Sequence, residues 1–207
     1  MKVITDIKPQ QKTPTRCNIF LNNSFYCGLE LETVMKYRLK VGQEIEEEKI
    51  DEMQFDSERL KATEKALNYL SRRAKTKRQV KEYLQKKGYT DKTVSAVLEK
   101  LIDYKYVADE HYAEDYVRVY SGRKGKRLIA MELKQKGVSE EDMSSALDSI
   151  ENEEESAFKV AEKYLRSKQI SKENLLKCYK YLVSKGFDYD LAKQTVERIN
   201  KNEDDLL

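Results

Sequence analysis

Proline occurs only twice and glycine seven times in 207 residues, too little turn chemistry for an all-β sandwich or barrel. Cysteine is scarce and odd in number: Cys17, Cys27 and Cys178, with no CxxC spacing. That excludes a disulfide framework and points to reduced thiols in a cytoplasmic protein. Cys17 and Cys27 can face each other across a hairpin, where packing is their expected role. No apolar run approaches the ~20 residues of a membrane span, and the opening MKVITDIKPQQ turns polar too soon for a signal peptide. A soluble, cytoplasmic protein is expected. No GxxxxGK[ST], HExxH, GxSxG or DxDxDG motif occurs. The single histidine, His111, sits in ADEHYAED and reads as an exposed side chain near a helix start. The acidic run 151–155 lacks the alternating oxygen ligands of a calcium loop. No catalytic residue, cofactor or metal site is expected.

What is abundant is charge, at 37% of residues, with a net charge of only +3. An apolar content of 39%, with 14 Tyr, still suffices for a folded chain, and the excess of Lys, Glu and Leu favours helices. The near-zero balance hides a segregation. Residues 61–102 carry 12 cations against 4 anions, while residues 138–156 carry 8 anions and no cation. Such blocks give patches of alternating potential, so overall charge says little about partners.

The chain repeats itself. YLQKKGYTDKTVSAVLEKL (83–101), ELKQKGVSEEDMSSALDSI (132–150) and YLVSKGFDYDLAKQTVERI (181–199) align without a gap, placing Gly88, Gly137 and Gly186 at a period of 49. Leu84, Leu133 and Leu182 fall four before each glycine, and Val80, Ile129 and Cys178 eight before. Extending the ungapped register puts Leu67, Tyr116 and Leu165 in one further apolar column. This predicts three tandem three-helix units, helix-turn-helix-like, in an elongated array. In the first unit Thr76 and Gln79 form a capping box. Gly88 closes the second helix in a left-handed conformation, and Asp91 caps a third helix lined by Val94, Val97, Leu98 and Leu101. Ser139 and Ser171 offer comparable caps.

Residues 1–56 break the pattern. KVITDIK and RCNIFLNNSFYCGLEL alternate with period two around an Asn22-Asn23 hairpin tip, with Ile19, Leu21, Phe25 and Cys27 on one face and Phe20 and Tyr26 on the other. A short helix over 31–39 and an acidic helix in EEEKIDEMQF follow. The expected division is a cap over 1–56 containing a small β-hairpin, then repeats over 57–108, 109–152 and 153–207, the whole being mainly α.

Gly122 and Gly125 form a GxxG with a basic filling, as in backbone clamps of the KH type, but that clamp needs an α/β context that the periodicity denies. What recurs is a basic second helix with its leading loop. Residues 72–87, 118–136 and 166–185 hold 8, 7 and 6 cations, against one acid each. Repeated basic ridges suit a polyphosphate backbone. The candidate contacts are Arg72, Arg73, Lys75, Lys77, Arg78, Arg118, Arg123, Lys124, Lys126 and Arg127. Tyr69, Tyr83, Tyr116, Tyr120, Tyr179 and Tyr181 lie near these ridges; helical spacing makes them packing residues first and base-stacking residues second.

ALNYLSRRAKTKRQVKEYLQKKG (66–88), YVADEHYAEDYV (106–117) and GKRLIAMELKQKGV (125–138) resemble, in order and spacing, the signatures of the RecX family of bacterial recombination regulators. Tyr106, Val107, Asp109, Tyr112 and Ala113 fit one motif, with Tyr112 where the usual aromatic is Phe, and Thr76 and Gln79 stand where Ser and Glu are usual. The resemblance covers residues ~60–200, and the N-terminal region looks like that of the longer Gram-positive-type members. It implies a cytoplasmic monomer, without enzyme activity or cofactor, that binds the RecA recombinase filament on single-stranded DNA and mostly inhibits it. Regulation of recombination, DNA repair and the SOS response would follow, with weak binding to double-stranded DNA. It supplies no motif of binding residues, so the candidates above rest on charge and repeat position. The competing expectation is an autonomous DNA-binding helical-repeat regulator that needs no recombinase.

Overall fold

The computed structural model describes residues 1–204. Strands β1 (Lys2–Gln10), β2 (Thr13–Leu21), β3 (Ser24–Glu30) and β4 (Glu44–Ile45) form one antiparallel sheet, ordered β3-β2-β1-β4. Among the described residues ten helices follow: α1 (Leu31–Lys36), α2 (Glu47–Leu70), α3 (Lys77–Lys86), α4 (Asp91–Asp103), α5 (Asp109–Tyr120), α6 (Lys126–Gln135), α7 (Glu140–Asp148), α8 (Glu153–Leu165), α9 (Lys172–Ser184) and α10 (Tyr189–Asp204). The chain divides into two compact units: Met1–Ala74 with Val80–Val107, and Lys75–Gln79 with the chain from Ala108 onward.

The β2–β3 hairpin turns at Asn22 and Asn23, both with positive φ (48° and 66°), the backbone a two-residue turn of matching twist requires. A bulge between Ile19 and Phe20 shifts the register, pairing Ile19 with Cys27 but Phe20 with Phe25. One extra residue reverses the facing of everything beyond it. Phe25 therefore leaves the buried face it was expected to share with Ile19 and Leu21; it is 60% exposed and meets Phe20 edge-on at 5.9 Å. Cys17 and Cys27 are free and buried among Ile4, Leu21 and Leu29, and burial pushes both thiols up, which keeps them protonated and inert.

Helix α2 is continuous from Glu47 to Leu70, so the acidic segment and the first helix of the first repeat are one element. Its early residues Ile50 and Met53 belong to the sheet core. Its later ones, Ala62 and Ala66, join Val80, Leu84, Val94, Val97, Leu101 and Val107.

The third helices keep the period without a gap, α4, α7 and α10 beginning at 91, 140 and 189; α3 and α6 begin one period apart at 77 and 126, while α9 begins early, at 172. Val80, Ile129 and Cys178, and Leu84, Leu133 and Leu182, are all 0% exposed, each leucine contributing about 2–3 kcal/mol by burial. Gly88, Gly137 and Gly186 take φ near +86° (87, 84 and 88), the left-handed stop expected of them. Ser139 and Ser171 accept from the amides of Asp142 and Asn174. At α4 the cap is Thr90, which accepts from Thr93 N–H, and Asp91 is the first helical residue instead.

The first helices do not keep the ungapped register. Leu67 is 36% exposed and Tyr116 half-buried, whereas Leu165 is buried. The equivalent inner positions are Ala62, Ala113 and Ala161, then Ala66, Val117 and Leu165, all buried. They lie 22, 20 and 21 residues before their glycines, because the loops that join first to second helices differ by single residues.

Candidate functional site

The basic segments lead into the second helices. Arg72 and Arg73 are exposed just after α2 in the first unit. In the second unit Lys75 is half-buried, and Lys77 and Arg78 are exposed in the first turn of α3. Arg118 is exposed on α5 and paired with Asp115. Arg123 is exposed, Lys124 and Lys126 are half-buried, and Arg127 is exposed in the first turn of α6. Neither α3 nor α6 has an acid in its first turn. Cations there oppose the helix dipole, at about 0.3–1 kcal/mol each. Helix stability therefore does not explain Lys77, Arg78, Lys126 and Arg127.

The backbone at those helix starts is already occupied. Asp109, first residue of α5, accepts from Lys77 N–H at 2.8 Å, and Glu153, first residue of α8, accepts from Lys126 N–H at 2.8 Å. Thr76 donates its hydroxyl to the Lys136 carbonyl at 2.6 Å, and one period later Gly125 N–H donates to the Lys185 carbonyl at 2.9 Å. Thr76 and Gln79 close the expected capping box at 3.2 Å in both directions. With protein carboxylates on these N-termini, a phosphate would meet side chains, not amides.

Asp109 is 5% exposed, and burial, only partly offset by the Lys77 amide, raises its carboxyl above the ordinary aspartate range. The folded chain thus holds this proton more tightly than the unfolded chain, so the group's contribution to stability is full below the unfolded pKa and is lost as pH rises through the folded one. Asp109→Asn, which keeps the accepting oxygen without the charge, is expected to match or exceed the parent in urea melts near pH 7 and to lose that advantage by about pH 3. Asp109→Ala leaves Lys77 N–H unpaired and should cost about 1 kcal/mol. Equal stability of both variants across this range would remove the capping role.

The candidates differ in what holds them. Lys124 Nζ sits 2.7 Å from both carboxylate oxygens of Glu132, which also accepts from Tyr116 Oη at 2.7 Å, and lies 4.3 Å from the Tyr120 ring centre. Burial pushes the Glu132 carboxyl up, but the hydrogen bonds from Lys124 and Tyr116 outweigh it and hold the group ionised, below its usual range. Tyr116 is raised by burial and by Glu132. Lys124 is thus neutralised inside its repeat. Arg78 packs its stem over Gly137, and Arg127, one period on, lies 4.7 Å from the Tyr189 ring. Both residues are exposed.

The tyrosines near the ridges serve packing. Tyr69 stacks on Tyr83 at 4.1 Å, Tyr116 on Tyr120 at 4.4 Å and Tyr164 on Tyr181 at 4.6 Å. The lysine before each repeat glycine caps a ring, with Lys87 over Tyr83, Lys136 over Tyr116 and Lys185 over Tyr181 at 5.6, 5.7 and 5.2 Å. The exposed tyrosines are elsewhere: Tyr104 and Tyr106 are 66% and 59% exposed, on either side of Lys105, whose φ is +57°, with their rings 6.5 Å apart. His111 is exposed. Among the described residues no group of three His, Cys, Asp or Glu side chains is placed to hold a metal ion, and no helix is long and apolar enough to cross a membrane.

Three family models match the chain: the regulatory protein RecX N-terminal domain over residues 2–46, the RecX first three-helix domain over 62–101, and the RecX second three-helix domain over 109–147. Among curated relatives, regulatory protein RecX of Bacillus licheniformis is 34% identical over 211 residues, covering 99% of this chain and 80% of that one. Regulatory protein RecX of Clostridium perfringens is 32% identical over 209 residues, covering 98% and 99%. Among solved structures, a crystal structure of regulatory protein RecX superposes with TM-score 0.73 at 27% identity, covering 95% of this chain and all (100%) of that one. RecX from Lactobacillus salivarius superposes with TM-score 0.62 at 28% identity, covering 69% and 97%.

Proposed function

This chain belongs to the RecX family of regulatory proteins, and from that premise we propose that it binds the RecA filament on single-stranded DNA and lowers its activity. It would regulate recombination, repair and the SOS response as a cytoplasmic monomer without chemistry of its own. The observation that supports this reading is the recurrence of a basic loop and second helix in each repeat (taken as 57–108, 109–152 and 153–207), with cations set against the helix dipole at Lys77, Arg78, Lys126 and Arg127. A periodic set of such loops suits a periodic polyanion and its protein coat. Arg72, Arg73, Lys75, Lys77, Arg78, Arg118, Arg123, Lys126 and Arg127 would supply phosphate contacts, single-stranded DNA binding more strongly than duplex. Lys124 would act through the fold of its repeat. Tyr104 and Tyr106 would add sequence-tolerant stacking on unpaired bases.

Adding the chain to RecA on single-stranded DNA should lower ATP hydrolysis and strand exchange, while the chain alone hydrolyses nothing. The inhibition should persist under excess competitor DNA if the recombinase itself is a partner. Complete relief by free DNA would mean that the chain only competes for strand, and the autonomous DNA-binder reading would replace this one.

A further inference from the structure

In the first unit a hollow of about 470 Å³ opens between the sheet and the first three-helix repeat. Four cations from three parts of the chain line it: Arg16 of β2, Lys61 and Lys65 of α2, and Lys87 after α3; Glu30 and Glu58 are the opposing acids. Arg16 is fixed, its Nη2 donating to the Gly28 carbonyl at 2.9 Å. Gly28 keeps the space for it: a Cβ there would stand 3.3 Å from Arg16 Nη2 and 3.0 Å from Gln10 Nε2. Arg16 Nε lies 3.4 Å from Glu30, an ion-pair contact without hydrogen-bond geometry, so this buried N–H has no acceptor. Unpaired buried donors are rare and costly, by about 1–3 kcal/mol. Lys61 and Lys65 stand one turn apart on one helix face, a spacing at which like charges repel. Tyr89, also in the lining, keeps its proton, because burial and the nearby Glu58 and Glu30 raise it, and so offers a hydroxyl donor.

We infer that this hollow is an anion site for a phosphoryl group, in which Arg16, Lys61, Lys65 and Lys87 converge on a ligand that supplies negatively charged acceptors. The repelling lysine pair and the net positive lining are both relieved by one dianion. Nothing in this depends on the recombinase: the site stands or falls independently of filament inhibition. Its ligand is a phosphate carried either by a free phosphoanhydride or by the end of a DNA strand.

The test is titration calorimetry of the full chain with inorganic pyrophosphate at constant ionic strength, then with 5′-phosphorylated and 5′-hydroxyl oligonucleotides. Saturable pyrophosphate binding is expected. It should weaken by about tenfold or more in Lys61→Gln/Lys65→Gln, which removes two of the four cations of the lining. Lys159→Gln/Lys163→Gln, at a different basic hollow, should leave it unchanged. A preference for the 5′-phosphorylated strand that the Lys61/Lys65 pair abolishes assigns the strand end, and its absence assigns the free anhydride. Circular dichroism checks that the variants fold, and Tyr89→Phe gives a second, milder perturbation expected to weaken binding measurably. Pyrophosphate binding that is non-saturable, or unchanged in both Lys61→Gln/Lys65→Gln and Tyr89→Phe, overturns the site.

Discussion

A Gly125→Ala chain is expected to lose on the order of 3 kcal/mol of stability, the scale of a severe overpacking in a close-packed interior. Gly122→Ala, beside it in the same loop, should change stability by less than about 0.5 kcal/mol. A Cβ on Gly125 would stand 2.3 Å from both the Gly186 carbonyl oxygen and the Phe187 nitrogen, while one on Gly122 meets nothing within 4 Å. The colliding atoms are backbone and cannot rotate away. Moving apart also breaks the 2.9 Å bond from Gly125 N–H to the Lys185 carbonyl, leaving both groups without partners. Gly125 has φ −76°, so what it supplies is room and not an unusual backbone angle. Gly88→Ala is the complementary case: φ is +87° with open space around it, so only the left-handed penalty of about 1–2 kcal/mol applies. Urea or thermal melts of the three variants rank them, and a Gly125→Ala chain as stable as its parent would show that the helix starts do not dock as described. The GxxG of this chain is thereby explained without a ligand, since one glycine is a loop residue and the other a packing contact.

Most of the helical architecture could be read from the sequence, because each repeat glycine marks a backbone conformation that only glycine takes cheaply, and the leucines four before it follow in step. Reading failed where length changes were invisible. Single-residue differences in the loops before α3, α6 and α9 shift the first helices, so Leu67 emerges on the surface and Ala66 takes the inner place. The bulge beside Ile19 did the same to Phe25. The contacts Asp109 to Lys77 and Glu153 to Lys126 join residues 32 and 27 apart, and no local pattern announces them. In the candidate site the identity of the cations was legible, but not their commitments. A lysine in a basic run looks like its neighbours until Glu132, eight residues on, is seen to neutralise it.

Replacing Arg72, Arg73, Lys77 and Arg78 with glutamine should flatten the log–log salt dependence of single-stranded DNA binding by roughly 3 units. Each lost phosphate contact on a single strand removes about 0.7. At 0.1 M salt that corresponds to a loss of affinity on the order of a hundredfold. The same change should weaken all sequences alike, because phosphate contacts carry no base information. Lys124→Gln provides the contrast. Its charge is already matched by Glu132, so the slope should hold, while stability falls by about 1–3 kcal/mol as a half-buried carboxylate loses its partner. If the fourfold variant keeps the parental slope, these cations form a solvated face. If Lys124→Gln flattens the slope instead, Lys124 and not the other four cations meets the phosphates.

Whether all three repeats act together is best probed by charge and not by truncation. Deleting residues 153–207 would also remove Glu153 from Lys126 and Gly186 from Gly125, and so would disturb α6 as well. Glutamine at Arg166 and Lys172, exposed residues flanking the loop before α9, leaves those contacts intact. Lys168 is less suitable because it lies over the Tyr164 ring at 3.1 Å.

The most direct measurement is co-sedimentation with preassembled RecA filaments on single-stranded DNA, against the same DNA without RecA. The account predicts that the chain pellets with the filaments beyond what naked strand carries. The bound fraction should fall when one repeat's basic loop is neutralised and fall much further when two are, since contacts along one filament reinforce each other through effective concentration. A chain that stays in the supernatant, or pellets equally with naked strand and with filament, would contradict it.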